Sequence, residues 1–72
     1  MQEAIVKWYS VAKGYGFVEP ESGESDDIFV HHSLIDEQTH GPLLPGERVR
    51  VDAVKSKRGW QAQSLVRLWD SG

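Results

Sequence analysis

The chain reads as an all-β fold in which five short antiparallel strands close into one small barrel. Two observations predict this. The first is a period of two. Tyr15 and Phe17 interleave with Gly16 and Val18, and Phe29 and His31 interleave with Ile28 and Val30. Successive residues of a strand project to opposite faces, so each segment has an aliphatic face suited to a core and an aromatic one. The second is the spacing of turn signals. Lys13-Gly14, Ser22-Gly23, Pro45-Gly46 and Arg58-Gly59 cut the chain into strand-length pieces. No window keeps a 3.6-residue apolar period, so nothing beyond a single helical turn is expected. Closure into a barrel removes the edges that an open sheet would expose.

The first strand is expected over about residues 4–11, with Ile5, Val6, Trp8, Tyr9 and Val11. Val6 and Trp8 share parity. If Val6 is core and Trp8 is not, the strand must bulge or bend between them. The second strand is expected at 15–19 and the third at 27–31. Ser33-Leu34-Ile35 follows as a candidate helical turn covering an open end of the sheet, and then a longer loop from Asp36 to Pro45. The fourth strand, 47–54, alternates Val49, Val51 and Ala53 with Arg48, Arg50 and Asp52. The fifth runs over 60–68.

At 72 residues the chain is expected to be one domain, 1–72, with a thin core. It contains no cysteine, which excludes disulfides and thiolate metal sites and is compatible with a reducing cytoplasm. Neither a signal-peptide pattern nor a membrane-length apolar stretch is present. The formal net charge of −3 argues against a generic polyanion binder. Charge is segregated, however. Acids gather at Glu19, Glu21, Glu24, Asp26 and Asp27 and at Asp36 and Glu37. Cations lie at Lys7, Lys13, Arg48, Arg50, Lys55, Lys57 and Arg58. Screening over roughly 8–10 Å lets a local cationic patch act despite a negative total.

An exposed aromatic face is unusual without a use. Rings beside cations suit a single-stranded nucleic acid, whose bases stack while its phosphates pair with the cations. Trp8, Tyr15, Phe17, Phe29 and His31 are therefore candidate stacking residues, and Lys7, Lys13, Lys57 and Arg58 candidate phosphate contacts. Core packing is the competing role for the rings, but Val18, Ile28 and Val30 already supply a core face. Arg48, Arg50 and Arg67 read as solvated charges. Of Asp26 and Asp27, one is a candidate acceptor from a base edge and the other a turn cap. Neighbouring histidines on a strand face opposite ways, so His31 and His32 are not expected to share a metal ion, and no cofactor is expected. None of the serines sits in a nucleophile motif, and no Gly-rich phosphate loop precedes a helix. A non-enzymatic protein follows.

Lys13-Gly14-Tyr15-Gly16-Phe17-Val18 and Ile28-Phe29-Val30-His31 look like the two ribonucleoprotein motifs. Their order, the absence of helices, and Val6-Lys7-Trp8-Tyr9, Ser33-Leu34-Ile35, Pro45-Gly46 and Arg58-Gly59-Trp60-Gln61-Ala62 together resemble the bacterial cold-shock proteins across almost the whole chain. That resemblance implies a five-stranded oligonucleotide-binding (OB-fold) barrel and a cytoplasmic protein. Its partners would be single-stranded RNA and DNA, with no membrane and no small-molecule substrate. It also implies melting of RNA structure and regulation of transcription or translation. It carries His32, His40, Trp60 and Gln61 into the same binding surface. Tyr9, Tyr15, His32 and His40 stand where the family usually has phenylalanine, and Trp60 where proline is more frequent. A monomer is expected, with a strand-swapped dimer as the open alternative. The rival reading is a protein-interaction module on the same barrel.

Overall fold

The computed structural model describes residues 2–23 and 26–68. Glu24, one of the acidic cluster, and the ends of the expected 1–72 domain lie outside the described residues. The strands are β1 (Gln2–Ser10), β2 (Tyr15–Pro20), β3 (Ile28–His31), β4 (Arg48–Ser56) and β5 (Gly59–Arg67). They close in the order β1-β2-β3-β5-β4. Four seams are antiparallel, and the fifth, between β3 and β5, is parallel. A ring with an odd number of strands cannot alternate direction all the way round, so one seam has to be parallel.

Parity selects the core. Ala4 and Val6 of β1, Val18 of β2, Ile28 and Val30 of β3, Val49 and Val51 of β4 and Ala62 of β5 are buried. Leu43 joins them from the loop before β4. The Val6–Trp8 conflict is resolved by a bulge. Val6 pairs with Val18, yet Trp8 and not Lys7 pairs with Phe17. Lys7 is the extra residue. It shifts the phase of β1, so Val6 points inward while Trp8 points outward beside Phe17. Val6 keeps a partner on its other side, donating its N–H to Glu47 O at 2.8 Å. Beyond the bulge Tyr9 faces Gly16. A Cβ on Gly16 would fall 2.4 Å from the Trp8 carbonyl oxygen and 2.8 Å from Tyr9 Cα, so the close approach of β1 and β2 depends on this glycine.

After β3 the chain makes a 3₁₀ turn over His32–Leu34 and one helical turn over Glu37–His40. The second turn interrupts the stretch expected to be loop. Asp36 starts it by accepting the His40 N–H at 3.0 Å. What fixes this segment is Arg67, and here the sequence expectation of a solvated charge is corrected. Its Nε lies 2.6 Å from Glu47 Oε2, and its other nitrogens donate to the carbonyls of Gly41 at 2.6 Å and Pro42 at 3.1 Å. The side chains of Arg67 and Glu47 are only 9% and 16% exposed, so this ion pair is largely shielded from water. Burial pushes the Glu47 carboxyl up. The hydrogen bonds from Arg67 and the Leu44 N–H outweigh that and hold it below the usual carboxylate range.

Candidate functional site

The β2–β3 register builds the site. Tyr15 pairs with His31, and Phe17 with Phe29. Directly paired side chains share a face, so these four rings project together, away from Val18, Ile28 and Val30. The bulge adds Trp8 opposite Phe17. Ring centroids are 5.5 Å apart for Trp8–Phe17, 5.6 Å for Trp8–Tyr15, 5.3 Å for Tyr15–Phe29 and 5.8 Å for Phe17–Phe29. Several pairs are edge-on, the arrangement ring quadrupoles favour, so the rings brace one another. Tyr15, Phe17 and Phe29 are partly exposed and Trp8 is 39% exposed. This is a contiguous aromatic surface made by neighbouring strands, distinct from the core.

The charges sort into two groups. Of the eight lysines and arginines, four are ion-paired. Lys7 meets Asp27 at 3.1 Å, Arg48 meets Glu3 and Glu21, Arg50 meets Glu3, and Arg67 meets Glu47. The hydrogen bond that Lys7 donates to Asp27, and then the charge of Asp27, hold the Lys7 ammonium above the usual lysine range. Arg48 and Arg50 thus tie β4 to β1 and to the turn after β2, more than the solvated charges expected of them. The other four, Lys13, Lys55, Lys57 and Arg58, have no acid partner among the described residues. Lys13 lies in the β1–β2 turn, two residues before Tyr15. Lys55, Lys57 and Arg58 belong to the β4–β5 hairpin.

That hairpin borders an open groove beside the rings, lined by Phe29, Asp26, Asp27, Arg58, Trp60 and Gln61, among others. The parallel seam brings these residues together, because Ile28 pairs with Trp60 and Phe29 with Gln61. Gln61 therefore shares the outward face with Phe29, whereas Trp60 stands at the rim, partly packed on the core. Ser56 also lines the groove and shapes its hairpin, donating its hydroxyl to Gly59 O at 2.8 Å. Sequence reasoning passed over Ser56 and gave Lys55 no role. Only the cross-strand register, Lys55 with Trp60, draws attention to that lysine.

The histidines separate. His31 lies on the ring face, and its Nδ1 accepts the Ser33 N–H at 3.2 Å, capping the 3₁₀ turn. The expectation that His31 and His32 diverge is corrected: their centroids lie 4.3 Å apart. His32 has already left the strand and entered the 3₁₀ turn, so strand alternation no longer governs it. Its ring packs on Gly14, where a Cβ would come within 2.9 Å of His32 Cδ2. Among the described residues no three His, Cys, Asp or Glu side chains gather as a metal site. His40 lines a separate cleft with Leu44, Pro45 and Arg67. Arg67 holds the backbone of this segment, His40 O included at 3.4 Å, whereas the groove beside the rings is lined without His40. No helix among the described residues is long and apolar enough to cross a membrane.

Residues 2–68 match the family described as the 'Cold-shock' DNA-binding domain. The chain is 44% identical over 63 residues to the cold shock-like protein CspC of Bacillus cereus, covering 88% of this chain and 94% of that protein. It is 41% identical over 68 residues to the cold shock-like protein CspLB of Listeria monocytogenes, covering 94% of this chain and all of that protein. The cold shock protein CspD of Bacillus subtilis is likewise 41% identical over 68 residues, with the same coverage.

Proposed function

Because this chain belongs to the cold-shock domain family, we propose that it binds single-stranded RNA and DNA on the face built by Trp8, Tyr15, Phe17, Phe29 and His31. The observation that carries this reading is the distribution of unpaired cations. The acids neutralise Lys7, Arg48, Arg50 and Arg67, and the cations left over flank the rings, with Lys13 at the β1–β2 turn and Lys55, Lys57 and Arg58 on the hairpin. A net charge of −3 is then no obstacle, since screening over roughly 8–10 Å lets these cations act locally. Bases stack on the ring faces, and stacking is tolerant of sequence because every base has a π-face. A protein that prefers unpaired strands shifts hairpins toward their open forms without ATP. It thereby acts as an RNA chaperone and a regulator of transcription or translation. This is binding chemistry in the cytoplasm, without catalysis or cofactor.

The test is a titration with oligo-dT, read by tryptophan emission and repeated over a range of salt. Four phosphate contacts at roughly −0.7 each predict a slope of log K against log salt near −3, with strong quenching at low salt. Absence of quenching would instead favour a protein-interaction module on the same barrel.

A further inference from the structure

Trp60 and Lys55 are cross-strand partners next to the turn of the β4–β5 hairpin. The Lys55 ammonium stands 5.9 Å from the centroid of the Trp60 ring, at the outer limit of a cation–π contact. Trp60 is partly exposed and lines the same groove as Phe29. Its register partner on β3 is Ile28, the residue next to Phe29. Lys55 has no acid partner among the described residues, and Lys57 and Arg58 continue the positive charge around the turn. A ring and an unpaired cation thus stand together just past the end of the aromatic surface.

We propose that Trp60 and Lys55 form an additional nucleotide subsite at the barrel rim. Here the strand leaving Phe29 crosses the β3–β5 seam, stacks one more base on Trp60 and sets the adjoining phosphate against Lys55. The inference rests on the single-strand reading above and adds to it a longer footprint and an exit over the hairpin. Asp26 and Asp27 line the same groove as Trp60; their carboxylates repel a phosphate, which Lys55 attracts, and suit the donors of a base edge instead.

The experiment is a length series of oligo-dT from three to eight nucleotides, titrated against the wild-type chain, Trp60→Ala, Trp60→Phe and Lys55→Gln. Wild-type affinity rises with each added nucleotide until the rim subsite fills. In Trp60→Ala the series levels off one nucleotide earlier, costing the longest oligonucleotides about five- to a hundred-fold, the worth of one stacked base. The short ones are unaffected. Trp60→Phe keeps part of the last step, which guards against a Trp60→Ala chain that folds poorly. Lys55→Gln flattens the salt slope by about 0.7 for the long oligonucleotides only. Loss spread evenly over all lengths, or a length series unchanged in both Trp60 variants, would overturn the subsite and leave the ring face standing. A wild-type chain that binds no oligonucleotide would overturn the underlying reading as well.

Discussion

Lys7 and Asp27 are joined at 3.1 Å, a contact that the bulge makes possible by setting Lys7 apart from the regular β1–β2 ladder. Both side chains are well exposed, and an exposed pair is readily exchanged for another partner. Asp27 also lines the groove beside Phe29. A phosphate reaching Lys7 must therefore displace a carboxylate that already holds it.

Asp27→Asn should accordingly tighten oligonucleotide binding at low salt. It should also steepen the salt slope by up to about 0.7, as Lys7 becomes free for one more phosphate. Fluorescence titrations at several salt concentrations measure both. Weaker binding in Asp27→Asn would mean that Asp27 itself accepts from a base edge.

Gly16→Ala should destabilise the barrel by about 3 kcal/mol, the upper range for overpacking, because the added methyl meets backbone at 2.4 Å and 2.8 Å. Gly23→Ala is the control. Its Cβ meets nothing within 4 Å, and only its φ of +70° is unfavourable, at a cost of roughly 1–2 kcal/mol. Urea midpoints of the two variants check the ordering, and a Gly16→Ala chain of near wild-type stability would contradict the strand packing described.

The Glu47–Arg67 pair gives acid sensitivity with a definite sign. Glu47 is held below the usual carboxylate range, so its contribution is fully present above the unfolded value of about 4.3. It is lost as the pH falls through that value toward the lower folded one. Glu47→Gln should be less stable at neutral pH and lose less stability on acidification below about pH 5. Arg67→Ala should cost about 2–4 kcal/mol, since it leaves a shielded carboxylate and two loop carbonyls without their donor. Parallel pH curves for Glu47→Gln and the wild type would refute the assignment.

Most of the barrel was legible because burial on one face enforces a period of two. Val18, Ile28 and Val30 announced the core, and Tyr15, Phe17 and Phe29 the opposite face. The Val6–Trp8 clash announced a bulge, although which residue bulges depends on the partner strand. Legibility failed where tertiary contacts overrule local pattern. Arg67 looks like any surface arginine until the loop carbonyls of Gly41 and Pro42 are seen around it. His32 follows the alternation of β3 in sequence but already belongs to the next turn. Lys55 acquires meaning only from its register with Trp60, which no local pattern encodes.

The central claim is that neighbours on one strand have opposite jobs, and Phe29 and Val30 test it most directly. Phe29 packs edge-on against Phe17 at 5.8 Å on the outer face, while Val30 is fully buried. The measurement pairs an oligo-dT titration with a urea midpoint for Phe29→Ala and for Val30→Ala. Phe29→Ala should weaken binding by about 1–3 kcal/mol with the smaller loss of stability. Val30→Ala should bind normally when folded but lose on the order of 1–3 kcal/mol of stability, from lost burial and the cavity left behind. Phe29→Ala unfolding the chain while a folded Val30→Ala loses binding would invert the two faces and contradict the account.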